Sequence, residues 1–142
     1  MTRKKIGVAV IGFGWMGQAH TRSYLRIPTL FPERDYDPEL IIISDNLQER
    51  VDEAVDSFGF REGTTDWNVA VNHPDVDVVC VCAPNMLHEP IAIAAAAAGK
   101  HVFCEKPVGG TPEQTVRIEA ASRAAGVITG VGYNYRWAPL VQ

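Results

Sequence analysis

The chain has 142 residues, a formal net charge of −4, 46% hydrophobic residues and 21% charged ones. That balance excludes a disordered chain, and a mildly acidic sequence with scattered Lys and Arg argues against a nucleic-acid or anionic-membrane partner. The length suits one domain able to bury a core of its own.

Residues 1–5 form a charged lead-in. Glycines interrupt the apolar run behind it and no small-residue cleavage site follows, so the segment does not read as a signal peptide. The longest apolar stretch, residues 91–98, is too short to span a bilayer, and a cytoplasmic protein is expected. Cys80, Cys82 and Cys104 fall in apolar, strand-like runs, which predicts reduced, buried thiols. Cys80 and Cys82 would share one strand face, a poor geometry for a disulfide, and spacing offers them no partner ligands for a metal.

In chain order, residues 6–11 are a continuous β-branched apolar run, as expected of a central parallel strand covered on both faces. Gly12-Phe13-Gly14-Trp15-Met16-Gly17 follows at once and opens a proline-free helical segment, 15–26. This is the pattern of a phosphate-binding turn. Gly12 permits the tight bend, Gly14 lets bare backbone approach a pyrophosphate, and Gly17 lets the helix pack closely on the strand. Residues 27–38 carry Pro28, Pro32 and Pro38 and predict an inserted loop.

Residues 40–45 predict a second buried strand ending at Asp45, and 47–58 an amphipathic helix with Val51, Ala54, Val55 and Phe58 inward. A short strand within 60–65 and a short helix over 66–71 follow, then a fourth strand over 77–83 closed by Pro84 and Asn85. An alanine-rich helix over 91–98 stops at Gly99, a fifth strand spans 101–105, a helix over 111–125 stops at Gly126, and a sixth strand spans 127–133. The alternation predicts an α/β fold, a doubly wound parallel sheet of the Rossmann type over residues 1–136.

Ligands of such sheets lie beyond the carboxyl ends of the strands. Those ends supply the cofactor-binding candidates: Gly12, Phe13, Gly14, Trp15, Met16 and Gly17, then Asp45, Ala83, Pro84, Asn85 and Glu105. Asp45 is placed to accept from adenosine ribose hydroxyls and to repel a 2′-phosphate, which favours NAD over NADP, although Ser44 and Asn46 could serve a 2′-phosphate instead and the carboxylate could equally cap the next helix. Lys106, held between Glu105 and Pro107, is the catalytic candidate, because an ammonium there can polarise a carbonyl or bind an alkoxide, though a solvated strand-end lysine fits the position too. Glu105 could bond the nicotinamide ribose or merely pair with Lys106.

Among the histidines, His88 has the best functional case, with helix capping or packing as the alternative. His20 is expected at the surface or in packing, His73 solvated and His101 structural, and no pair has metal-ligand spacing.

Together, the segments 12–17, 83–88, 98–107 and 132–136 resemble the glucose-fructose oxidoreductase and inositol dehydrogenase family, Gfo/Idh/MocA, across essentially the whole chain. The resemblance implies an NAD(P)-dependent oxidoreductase acting on sugars, cyclic polyols or their derivatives. It makes Lys106 the active-site lysine, sets Glu105 and Asn85 along the nicotinamide ribose, and puts a cis peptide before Pro107. Tyr133, Asn134 and Arg136 would pass the cofactor, and Trp137 and Pro139 would begin a helix linking, over 137–142, to a second domain.

That second domain would carry the Asp and His that complete the catalytic group, most substrate contacts and the homo-oligomer interface. A non-catalytic nucleotide-binding or redox-sensing module and a methyltransferase-like domain are the alternatives, and the latter gives Glu105-Lys106-Pro107 no role.

Overall fold

A computed structural model describes residues 3–140. Six strands, β1 (Lys4–Ile11), β2 (Tyr36–Ser44), β3 (Glu62–Thr64), β4 (Val78–Val81), β5 (His101–Cys104) and β6 (Thr129–Val131), form one parallel sheet in the order β3-β2-β1-β4-β5-β6. The helices between them are α1 (Trp15–Leu30), α2 (Gln48–Phe58), α3 (Trp67–Val71), α4 (His88–Ala97) and α5 (Pro112–Ala125). This is the predicted doubly wound fold. Chain order reverses between β1 and β4, the switch point at which such sheets open a crevice.

Side-chain alternation along β1 sends Val8 and Val10 into one core layer, with Ile43, Val51, Ala54 and Phe60, and Ala9 and Ile11 into the other, with Val79, Val81 and the alanines of α4. The small faces of Ala92, Ala95 and Ala96 bury that helix against the sheet. A capping box between Thr111 and Gln114 starts α5, and Gly126 in the left-handed conformation ends it.

The proline segment departs from expectation at both ends. α1 runs through Pro28 to Leu30, because Arg34 Nη1 donates to the carbonyls of Pro28 (2.9 Å) and Phe31 (3.2 Å) and so holds the last turn. Pro38 lies inside β2, paired in register with Ile6, where β3 does not reach, since β3 pairs only with Ile42, Ile43 and Ser44. One side of the strand is open there, which is the situation a strand proline tolerates.

A single 3-10 turn, Asn134–Trp137, ends where the linking helix is expected to begin, and residues 138–140 are not helical. Val141 and Gln142, at the end of the expected link, and Met1 and Thr2, in the charged lead-in, lie outside the described residues. Among the described residues no helix is long and apolar enough to cross a membrane.

Candidate functional site

β1 delivers the chain to Gly12, whose φ of +93° makes the bend a side chain would resist, and whose N–H donates to the Ser44 carbonyl at 2.7 Å. Phe13 turns its ring into the core, edge-on to Phe58 and Phe60 at 5.0 and 6.1 Å. Its contribution to a ligand site is therefore through backbone alone, and its N–H donates to Asp45 Oδ2 at 2.6 Å. Gly14 caps α1, and a Cβ built on it meets nothing within 4 Å. At Gly17 a Cβ would fall 2.0 Å from the Gly12 carbonyl oxygen, so only glycine lets the helix sit on the turn.

The main-chain ladder at the start of α1 begins with Gln18 N–H to Gly14 O, and no side chain caps the helix. The amides of Trp15, Met16 and Gly17 stand ahead of that ladder, at the positive end of the helix dipole, with no acidic residue in the first turn. The bare Gly14 backbone and these amides fit a pyrophosphate.

They open on a cavity of about 490 Å³ over the β1/β4 switch point, lined also by Trp15, Met16, Asp45, Ala83 and Pro84. Asp45, buried at the end of β2, accepts from the N–H of Leu47 at 3.0 Å and has Arg50 Nη1 3.6 Å from Oδ2. Its carboxylate thus fixes the glycine turn and the start of α2 while lining the cavity. Arg50, Thr65 and Trp67 also line it and were not anticipated. Thr65 follows the last residue of β3, so the strand-end rule applied to that strand would have found it.

A second group assembles at the end of β5. Glu105 is 5% exposed, with Oε1 2.7 Å from His20 Nε2 and Oε2 accepting the Lys106 N–H at 3.1 Å. Lys106 is exposed, its ammonium makes no ion pair among the described residues, and the peptide to Pro107 is cis, as the resemblance implies. The Glu105 carboxylate thus pairs with His20 and not with the Lys106 side chain. A cavity of about 410 Å³ joins His20, Glu105, Tyr133 and Asn134 to Trp15 and Met16, which line both hollows. Arg136 follows on the same turn as Asn134 and lines neither.

His88 departs from the expectation that it faces a cofactor. It is 2% exposed, with Nε2 2.8 Å from the Ala83 carbonyl oxygen and Nδ1 2.9 Å from that of Pro107. Asn85 Nδ2 donates to the same Pro107 oxygen at 2.7 Å. His88 and Asn85 therefore tie the loop after β4 to the loop that carries Lys106, and their action on a ligand is indirect through that tie.

The three thiols are free: burial pushes the Cys104 thiol up to about 12, and the hydrogen bond shared with Cys80 together with burial raises Cys82. The expectation that the Cys80–Cys82 pair lacks a partner is corrected, since α1 brings His20 within 4.8 Å of both sulfurs. His20 is the residue that sequence spacing missed, because its partners are distant in the chain.

A family model described as an oxidoreductase family with an NAD-binding Rossmann fold, Gfo/Idh/MocA, matches residues 6–133. The chain belongs to this family. A levoglucosan dehydrogenase of Pseudarthrobacter phenanthrenivorans is 38% identical over 97% of this chain and 35% of its own length. A myo-inositol 2-dehydrogenase of Thermotoga maritima is 32% identical over 92% of this chain and 36% of its own.

Among solved structures, a levoglucosan dehydrogenase complex with NADH and levoglucosan superimposes with a TM-score of 0.91 and 38% identity, covering 97% of this chain and 37% of that one. An NAD-binding oxidoreductase from Klebsiella pneumoniae gives 0.88 and 39%, over 92% and 35%. This Gfo/Idh/MocA chain spans little more than a third of the length of the relatives it matches.

Proposed function

We propose that the chain is the cofactor-binding domain of an NAD-dependent dehydrogenase that moves a hydride between nicotinamide and a sugar, cyclic polyol or related derivative. The observation that carries this reading is the convergence of the glycine turn, Asp45 and Glu105, the residue before Lys106, on two cavities that share Trp15 and Met16. Relatives named for levoglucosan and myo-inositol support the substrate class.

In this reading the free amides of α1 and the bare Gly14 backbone hold the pyrophosphate, and Asp45 accepts from the adenosine ribose hydroxyls, disfavouring a 2′-phosphate. Ala83, Pro84 and Asn134 border the cofactor, while Glu105, Asn85 and His88 fix the strand ends that face the nicotinamide ribose, with Arg136 on the turn beyond. When bound, the nicotinamide ring supplies the hydride chemistry. Lys106 binds and polarises the reacting oxygen of the substrate, an electrostatic task that needs no proton of its own.

Residues 1–136 constitute this domain, and 137–142 lead toward a substrate domain that supplies the proton donor and acceptor and the surface for homo-oligomer formation. The whole protein acts in the cytoplasm on a small molecule, without a nucleic-acid or membrane partner.

The test is a fluorescence titration of the chain with NADH, and with NADPH in parallel. Saturable NADH binding, with NADPH at least about tenfold weaker, that is ~1.4 kcal/mol, is expected. Absence of saturation, or preference for S-adenosylmethionine in competition, would overturn the reading. In the whole protein, Lys106→Ala is expected to cut kcat while sparing NAD affinity, and unchanged turnover removes Lys106 from the chemistry.

A further inference from the structure

Behind the nicotinamide corner lies a cluster that the proposed reaction does not use. Cys80 in β4 and Cys82 just beyond it point to the α1 face of the sheet, with their sulfurs 3.6 Å apart. That is far beyond the ~2.05 Å of a disulfide, but two thiolates bound to one tetrahedral ion at about 2.3 Å each stand roughly 3.8 Å apart. β4 therefore holds two sulfurs at nearly the separation one ion requires. His20, one turn into α1, brings a ring nitrogen within 4.8 Å of both.

We propose that His20, Cys80 and Cys82 form a binding site for a soft divalent cation of the zinc class. The donor set is two sulfurs and one imidazole, which selects such ions over magnesium or calcium. A histidine bound to a metal leans its second nitrogen on a carboxylate or carbonyl, and Glu105 is at hand, with Oε1 2.7 Å from His20 Nε2.

Charge balance also suits the setting. Cysteine binds such ions as thiolate, so the two thiol protons leave to solvent as the ion enters. The dication and two thiolates then sum to zero, which removes the electrostatic penalty of placing a lone dication against the enclosed face of a sheet. The site borders both cavities, His20 lining the smaller and Cys82 the larger, so the metal titration is run without dinucleotide.

The experiment titrates the reduced, metal-free chain with cobalt(II), then displaces it with zinc(II). The expected result is one ion per chain, a thiolate-to-cobalt charge-transfer band in the near ultraviolet with tetrahedral visible bands, and release of two protons per ion by calorimetry in buffers of different ionisation enthalpy. Cys80→Val and Cys82→Ala should each lose at least tenfold in affinity and weaken the charge-transfer band, the valine matching its β-branched neighbours Val79 and Val81 so that the fold is kept.

Cys104→Ala serves as the control, because that side chain lies in the opposite core layer with Val81, and it should leave the titration unchanged. No saturation at micromolar chain, a band that survives loss of both Cys80 and Cys82, or equal loss in Cys104→Ala would each overturn the proposal.

Discussion

His20 Nε2 and Glu105 Oε1 meet at 2.7 Å across 85 positions of sequence, joining the first helix to the end of the fifth strand. A buried carboxylate needs such partners, and Glu105 has a second in the Lys106 N–H. Gly132 makes room for it, since a Cβ there would fall 2.5 Å from Oε1. Glu105→Ala removes both bonds and is expected to lower unfolding free energy by about 1–3 kcal/mol in urea titration. An unchanged midpoint would mean that neither bond contributes to stability.

Gly14 and Gly17 separate binding from folding. The Gly14 Cβ direction is empty, so Gly14→Val should melt within a few degrees of the parent yet lose at least about tenfold in NADH affinity, or ~1.4 kcal/mol, as its side chain enters the space of the pyrophosphate. Gly17→Ala drives a methyl into the Gly12 carbonyl and should cost stability itself, about 1–3 kcal/mol. Thermal melts beside NADH titrations decide it, and the reverse pattern would break the assignment.

His88→Ala orphans the Ala83 carbonyl and half of the pairing of the Pro107 carbonyl, at an expected cost of about 1–3 kcal/mol. Asn85→Ala should cost less, because Asn85 is only half-buried and His88 still serves Pro107. Both act on one oxygen, so the double variant should differ from the sum of the singles, and strict additivity in urea melts would argue against a shared tie.

Alkaline pH should unfold the chain before it reaches the range of arginine. Burial raises Tyr24 and Cys104, the latter to about 12, and the hydrogen bond shared with Cys80 together with burial raises Cys82. Unfolded thiols ionise near ~8.5 and tyrosine near ~10, so above those values the unfolded chain binds fewer protons than the native one. The stabilisation is complete below about pH 8.5 and is lost progressively toward pH 12. Urea midpoints at pH 8 and pH 10.5 should show the fall, and Cys104→Ala should flatten part of it.

The alternation of β-branched runs with amphipathic segments made the fold class legible, because each element announces itself within a dozen residues. The glycine turn was legible at Gly12 and Gly17 for the same reason: each answers a local steric demand. Pro28 and Pro38 misled, because what tolerates them is not local. Arg34 holds the end of α1, and the shortness of β3 opens one edge of β2.

The role of His88 was hidden by its proximity to the site, since spacing cannot tell a ring that faces a ligand from one that bonds two carbonyls. His20 was invisible for the opposite reason. Nothing near it in sequence points to Glu105, Cys80 or Cys82, and only the packing of α1 on the sheet brings them together.

The anchoring of Phe13 has a consequence for how a dinucleotide arrives. With its ring set among Phe58 and Phe60 and its amide tethered to Asp45, the turn is held in one shape by contacts internal to the chain. Little backbone freedom is left to lose on capture, so association should be limited by diffusion and alignment, and differences in affinity among nucleotides should appear mainly in how long each resides.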